Sequence, residues 1–183
     1  MLNKINILIS FVFCFISFLF TFINKDITIL LFSLYIIIPF IFKLKPIITF
    51  LYLIFGFIAL FLGCQLHLYK TVYWYDNFSH FIWGFLSSLL AVLLLKKFKK
   101  FDNIIFSCLF IFIFSLATSG LWEIFEFMVD NIFNADMQRS ATGVYDTMKD
   151  IIITLFGNIL FILSYIFEYK NKKLLIRFLI DNL

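Results

Sequence analysis

The chain of 183 residues is 63% hydrophobic and only 14% charged, against roughly half and a quarter in a soluble domain. A soluble fold of this length cannot cover so much apolar surface, so lipid must cover it instead. The net charge of +4 is too small to suggest nucleic acid, and the three cysteines, Cys14, Cys64 and Cys108, each sit alone in an apolar run, without a disulfide framework or metal-ligand spacing.

Six apolar stretches follow one another at 7–23, 27–42, 47–66, 78–95, 104–122 and 151–167. The first, after Lys4, has the charged and apolar parts of a signal peptide. At about 17 residues it is long for one, and no small-x-small cleavage site follows, so a retained span is expected. The second is the shortest and contains Pro39, which predicts a tilted or kinked span. The breaks at 24–26 and 43–46 are tight, so the first three stretches should be antiparallel neighbours. The expectation is an all-α polytopic bundle of about six transmembrane helices, one membrane domain over 1–183.

Lysine and arginine set the orientation. With the N-terminus inside, Lys4, Lys43, Lys45, Lys96, Lys97, Lys99, Lys100, Lys170, Lys172, Lys173 and Arg177 are cytoplasmic, and only Lys25, Lys70, Arg139 and Lys149 are outside. This asymmetry predicts cytoplasmic N- and C-termini in a bacterial inner membrane. The tail over 171–183 reads as a short helix on the inner surface, its basic residues meeting anionic lipid.

The acidic residues gather on the last three spans. In the fourth, Asp76 and His80 are four apart and share a face that Gly84 and Ser88 continue. In the fifth, Ser115, Ser119, Glu123, Glu126 and Asp130 recur every three or four residues, and in the sixth Asp146, Asp150, Thr154 and Asn158 recur every four. Polar stripes on apolar cylinders should face one another, away from the acyl chains. About 19 residues separate Ile104 from Glu123, a rise of about 28 Å, which carries Glu123 to the outer boundary where the sixth span begins. Asp76, His80, Glu123, Glu126, Asp146 and Asp150 are therefore expected in one layer under the outer headgroups. Asp76, Asp130 and Asp136 also read as ordinary solvated groups at the membrane edge. Trp74, Trp83 and Trp122 fit an interfacial aromatic belt.

Five carboxylates and one imidazole so close need compensation. A divalent cation is the first candidate, since hard oxygen ligands with one nitrogen suit Mg, Mn, Fe or Zn. Protonation of some acids is the second. Arg139 or Lys149 folding in from the polar loop is the third, and Arg139 would also suit a headgroup phosphate.

Three motifs carry a resemblance: Tyr75-Asp76-x-x-x-His80-Phe81-x-x-Gly84-Phe85, Trp122-Glu123-x-x-Glu126-Phe127, and Tyr145-Asp146-x-x-x-Asp150. Over roughly 70–170 the chain resembles the YjdF-like bacterial inner-membrane proteins. In the third motif, 141–145 departs from the Gln-Gly-Asp-x-Trp of that family. A fainter similarity is to VanZ-like proteins, with Arg139 and Asp146 as counterparts of an Arg-then-Asp pattern, which implies an association with glycopeptide resistance. Neither resemblance implies a reaction. Three functions follow from the residues. The first is a metal-dependent site acting on a lipid or cell-envelope headgroup. The second is a non-enzymatic binder of envelope lipid or antibiotic. The third is a small transporter, disfavoured because the charges sit at one face and transport sites usually lie near the midplane.

Overall fold

The computed structural model describes residues 2–24, 28–41, 43–98, 103–134, 136–138 and 143–171, all helix or short connection. Arg139 and the tail expected as a surface helix beyond residue 171 lie outside the described residues. The chain forms two compact units, Met1–Tyr75 and Asp76–Leu183.

In the first unit, α1 (Leu2–Asn24), α2 (Thr28–Ile41) and α3 (Pro46–Gly56) pack together. Ile36 and Leu53 form the centre, with Ile9, Phe13, Cys14, Leu60 and Phe61 against them. Pro46 starts α3 at a position where its missing N–H costs nothing. The Pro46 carbonyl accepts from buried Asn6 Nδ2 at 2.7 Å. Tyr35 stacks on Tyr52 at 4.1 Å and donates its hydroxyl to the Tyr52 carbonyl at 3.1 Å. A Cβ at Gly56 would strike the Tyr35 ring, so the ring can lie there only against glycine.

The third apolar stretch is a single rod in two pitches. After Gly56 the helix widens into a π-helical segment, Phe57–Gln65. Such segments are rare, and the apolar run gives no sequence sign of this one. Tyr75 donates its hydroxyl to the Ile58 carbonyl in this segment at 2.8 Å. The short α4 (Leu68–Thr71) intervenes.

In the second unit α5 (Tyr75–Lys97), α6 (Ile104–Phe133) and α7 (Val144–Asn171) follow one another. Asn103 caps α6, its side-chain oxygen accepting from Ile105 N at 2.9 Å and Phe106 N at 3.1 Å. Asn134 ends it in the left-handed conformation that asparagine tolerates. Helices α5 and α7 touch backbone to backbone: a Cβ at Gly84 would collide with the Thr154 carbonyl, and one at Gly157 with the Phe81 carbonyl. The close approach puts side chains of all three helices in bonding range. Asn158 Nδ2 on α7 donates to Ser88 Oγ on α5 at 2.7 Å and to the Ile111 carbonyl on α6 at 3.3 Å. Ser87 and Ser115 share a hydrogen bond of 2.8 Å.

Among the described residues, four helices are long and apolar enough to cross a membrane: Pro46–Cys64, Tyr75–Lys97, Ile104–Phe133 and Val144–Tyr169. The last two outrun the apolar stretches of the sequence. Helix α6 does not stop at Trp122 but continues for three further turns, because Phe125, Val129 and Phe133 keep a helical period. Helix α7 begins at Val144, so Asp146, Lys149 and Asp150 belong to its first two turns.

Candidate functional site

Both α5 and α7 carry an acid in the first turn, Asp76 and Asp146, where the helix dipole favours negative charge by about 0.3–1 kcal/mol. One turn further on stand His80 and Asp150. The helical repeat of nearly four residues turns each pair to one face. Asp76, His80 and Asp150 come together as a buried trio whose ligand atoms all lie within 4.8 Å of one another. His80 Nε2 lies 3.5 Å from Asp76 Oδ1 and 3.8 Å from Asp150 Oδ2. These separations exceed a good hydrogen bond. They approach the edge of a tetrahedral metal site, in which atoms about 2.0–2.2 Å from the ion lie about 3.3–3.6 Å apart.

Two more acids join from α6 and α7. Glu123 is 4% exposed, in electrostatic range of His80, Asp76 and Asp146, and its carboxylate is hydrogen-bonded to Thr147. Its Oε1 is buried with no hydrogen-bond partner. Asp146 is buried and accepts from Lys149 Nζ at 2.7 Å. Lys149 also reaches Asp76 Oδ2 and Asp150 Oδ1, each at 3.5 Å. Glu126 is not one of the three residues that could share one ion, but it lies in electrostatic range of Glu123, Asp76 and Asp150. It is half-buried, and its Oε1 accepts from Trp122 Nε1, one turn earlier on α6, at 2.8 Å.

Some residues behave differently from the simplest sequence reading. Asp76 is buried and not solvated at an edge. Asp130 anchors the connection after α6, accepting from Met137 N at 2.6 Å and Gln138 N at 2.8 Å. Trp122 is a hydrogen-bond donor to Glu126 as well as an aromatic at the helix surface. Lys149 does not fold in from a loop. It sits on α7 beside the acids it neutralises.

Sequence reasoning missed Gln138 and Thr147. Gln138 Nε2 donates to the Glu123 carbonyl at 3.3 Å and to Thr147 Oγ1 at 3.0 Å. Since Thr147 in turn bonds the Glu123 carboxylate, the two residues steer that acid toward the trio. Only the i−3 spacing of Thr147 from Asp150 hinted at this role. Below the cluster, Ser119 Oγ and Thr154 Oγ1 are buried without hydrogen-bond partners, continuing the polar face inward.

Helices of membrane-spanning length around a buried acid–histidine cluster define a helical, membrane-embedded protein. The chain matches DUF2238, described as "Predicted membrane protein", over residues 2–171, and it belongs to that family. It is also similar to an uncharacterized protein of Thermotoga maritima, 29% identical over 102 residues, which are 55% of this chain and 52% of that protein. The chain thus matches about half the length of that relative. No solved structure matches.

Proposed function

We propose that the protein holds a divalent cation at Asp76, His80 and Asp150, and that this centre, facing the outside of a bacterial inner membrane, engages the headgroup of a lipid or cell-envelope molecule. The observation that carries the reading is one imidazole nitrogen at metal-edge distances from two buried carboxylates. The orphaned Glu123 Oε1 nearby supplies a further acceptor. Two carboxylates and one imidazole form a mixed oxygen and nitrogen set suited to Mn, Fe or Zn. Charge argues the same way. Lys149 and His80 together offset at most two of the carboxylates Asp76, Glu123, Asp146 and Asp150, and a buried uncompensated charge is costly. When bound, such an ion would polarise a phosphoryl or carbonyl oxygen. Whether the headgroup is turned over or only gripped, as the VanZ-like resemblance would have it, is decided by product formation from the purified protein.

The test is elemental analysis and calorimetry on protein purified in mild detergent, stripped of metal and titrated with Mn, Zn and Mg. One equivalent of ion should bind, and His80→Ala and Asp150→Asn should each abolish binding. Wild-type protein that takes up no ion, or an Asp150→Asn variant that binds as well as the parent, would overturn the cation site. The orientation is tested separately by single cysteines at Lys97 and Asn134, both exposed, in a background lacking the native three. An impermeant thiol reagent should label Asn134→Cys in intact cells and leave Lys97→Cys untouched.

A further inference from the structure

Lys149 and a divalent cation at the trio would compete for the same two carboxylates from opposite sides: His80 faces Asp76 Oδ1 and Asp150 Oδ2, and Lys149 faces Asp76 Oδ2 and Asp150 Oδ1. The Lys149 ammonium lies 3.5 Å from Asp76 Oδ2 and 3.5 Å from Asp150 Oδ1, and those two residues supply two of the three ligands. A dication bound between these carboxylates takes up the negative charge that holds the ammonium on their far oxygens, and repels it. The third partner of Lys149 lies outside the trio. Asp146 Oδ1 is the nearest, at 2.7 Å, on the same helix one turn away. Lys149 therefore has a pivot that it keeps when it withdraws from the other two. The direction of withdrawal follows from exposure: the Lys149 side chain is 26% exposed, against 11% for Asp76 and 4% for Asp150. The Lys149 side chain is the most exposed of the three, so it withdraws toward that exposed side.

We infer that Lys149 is an exchangeable counter-ion, which occupies the carboxylates of the acid–histidine site while no dication is bound and, once one is, presents its ammonium on the exposed side to a phosphate-class oxyanion. The inference rests on the proposed cation site. The buried, unpartnered Glu123 Oε1 is the independent sign that the cluster awaits a positive ligand beyond its own lysine. Lysine suits the second task as a compact ammonium with three donors, able to follow a phosphate oxygen without a fixed geometry. An oxyanion beside the released ammonium would also lie close to the dication. The two ligands then bind with positive linkage, each tightening the other by the same factor.

The experiment uses the full chain, as wild type, Lys149→Met and Lys149→Arg, titrated with Mn(II). Titrations run in detergent with and without inorganic phosphate, and in nanodiscs of phosphatidylcholine with and without phosphatidic acid. Lys149→Met should bind Mn(II) more tightly than wild type, by a factor within the roughly 5–150-fold usual for coupled sites, and lose any response to phosphate. Lys149→Arg should keep both the weaker affinity and the response. Tightening of wild type by inorganic phosphate assigns the oxyanion as free phosphate. Tightening by phosphatidic acid alone assigns it as a lipid headgroup. A folded Lys149→Met that binds Mn(II) no better than wild type overturns the counter-ion role. Absence of linkage with both phosphate sources overturns the oxyanion. If Lys149→Met is unstable, Mn(II) should restore its thermal melt more than it shifts wild type, and failure to do so is equally fatal. If neither wild type nor Lys149→Met binds Mn(II), the cation site itself falls, an outcome distinct from metal binding that ignores Lys149.

Discussion

The two units of the chain are held together by different chemistry. In Met1–Tyr75 the contacts are rings and branched aliphatics, and side-chain bonds from Asn6, Tyr35, Thr49, Thr71 and Tyr75 go to backbone carbonyls. In Asp76–Leu183 a polar seam runs down three helices, from the Asp–His–Asp trio through Ser119 and Thr154 to Asn158, Ser88 and Ser115. Of the 11 acidic residues, only Asp26 precedes Asp76 in the sequence. Lipid is as apolar as leucine, so apolar contacts alone distinguish poorly between a helix and the bilayer. Small and polar contacts do distinguish. The difference teaches that the second unit is specified by shape and hydrogen bonding at defined positions, where the first relies more on bulk packing, and that the buried acids gather in the specified unit.

The sharpest way to break this contrast is at the glycines. Gly84→Leu or Gly157→Leu pushes a side chain into the backbone carbonyl of the facing helix, which cannot rotate away. A loss of about 3 kcal/mol is expected, with collapse of the cluster. Gly56→Ala in the first unit meets only the ring of Tyr35, which can shift, and should cost about 1 kcal/mol. Thermal melts in detergent compare them. Equal losses at Gly56 and Gly84 would erase the distinction.

The next effect in size concerns ions. A dication at 100 times its dissociation constant should stabilise the protein by about 2.7 kcal/mol through binding to the folded state. Asp150→Asn should abolish that gain, whereas His67→Ala, at an exposed histidine of the first unit, should leave it intact. Loss of the gain in both variants would dissociate it from the trio.

Asn158→Val removes two buried hydrogen bonds that tie α7 to α5 and α6, leaving Ser88 with its bond to the Gly84 carbonyl, for an expected cost of about 2 kcal/mol. Asn6→Ala removes one bond and should cost about 1 kcal/mol. Smallest is the cap: Asn103→Ala should destabilise α6 by about 1 kcal/mol, while Lys45→Ala, at an α3 start without a side-chain cap bond, should be nearly silent.

Much of the seam was legible in the sequence because helical repetition is a strong local signal. Ser115, Ser119 and Glu123 are four apart, as are Asp150, Thr154 and Asn158, and burial places all six on inward faces. The pairing of Asp76 with His80 had the same origin. What the spacing did not reveal is non-local or non-helical. Gln138 meets Thr147 through the path of a connection, and no period encodes that path. Lys149 looked like part of a polar loop because hydropathy ends before the helix does. The π-helical segment Phe57–Gln65 lies in an unbroken apolar run where a change of pitch leaves no mark. The reach of α6 to Phe133 was hidden because Glu123 and Glu126 lower local hydropathy without interrupting the helix.

That reach also exceeds what a bilayer core can cover. At 30 residues, α6 is about 45 Å long, some 15 Å more than the hydrocarbon slab it crosses. Tilt alone would have to approach 50° to hide the excess, beyond the usual range of about 0–40°. Up to about three turns of the helix therefore lie beyond the hydrocarbon core. Its C-terminal end shows Phe127, Met128, Ile132 and Phe133 as exposed apolar surface. Glu123 lies one turn before Phe127 on the same rod, so the helix itself fixes the distance between the buried acid and that apolar end.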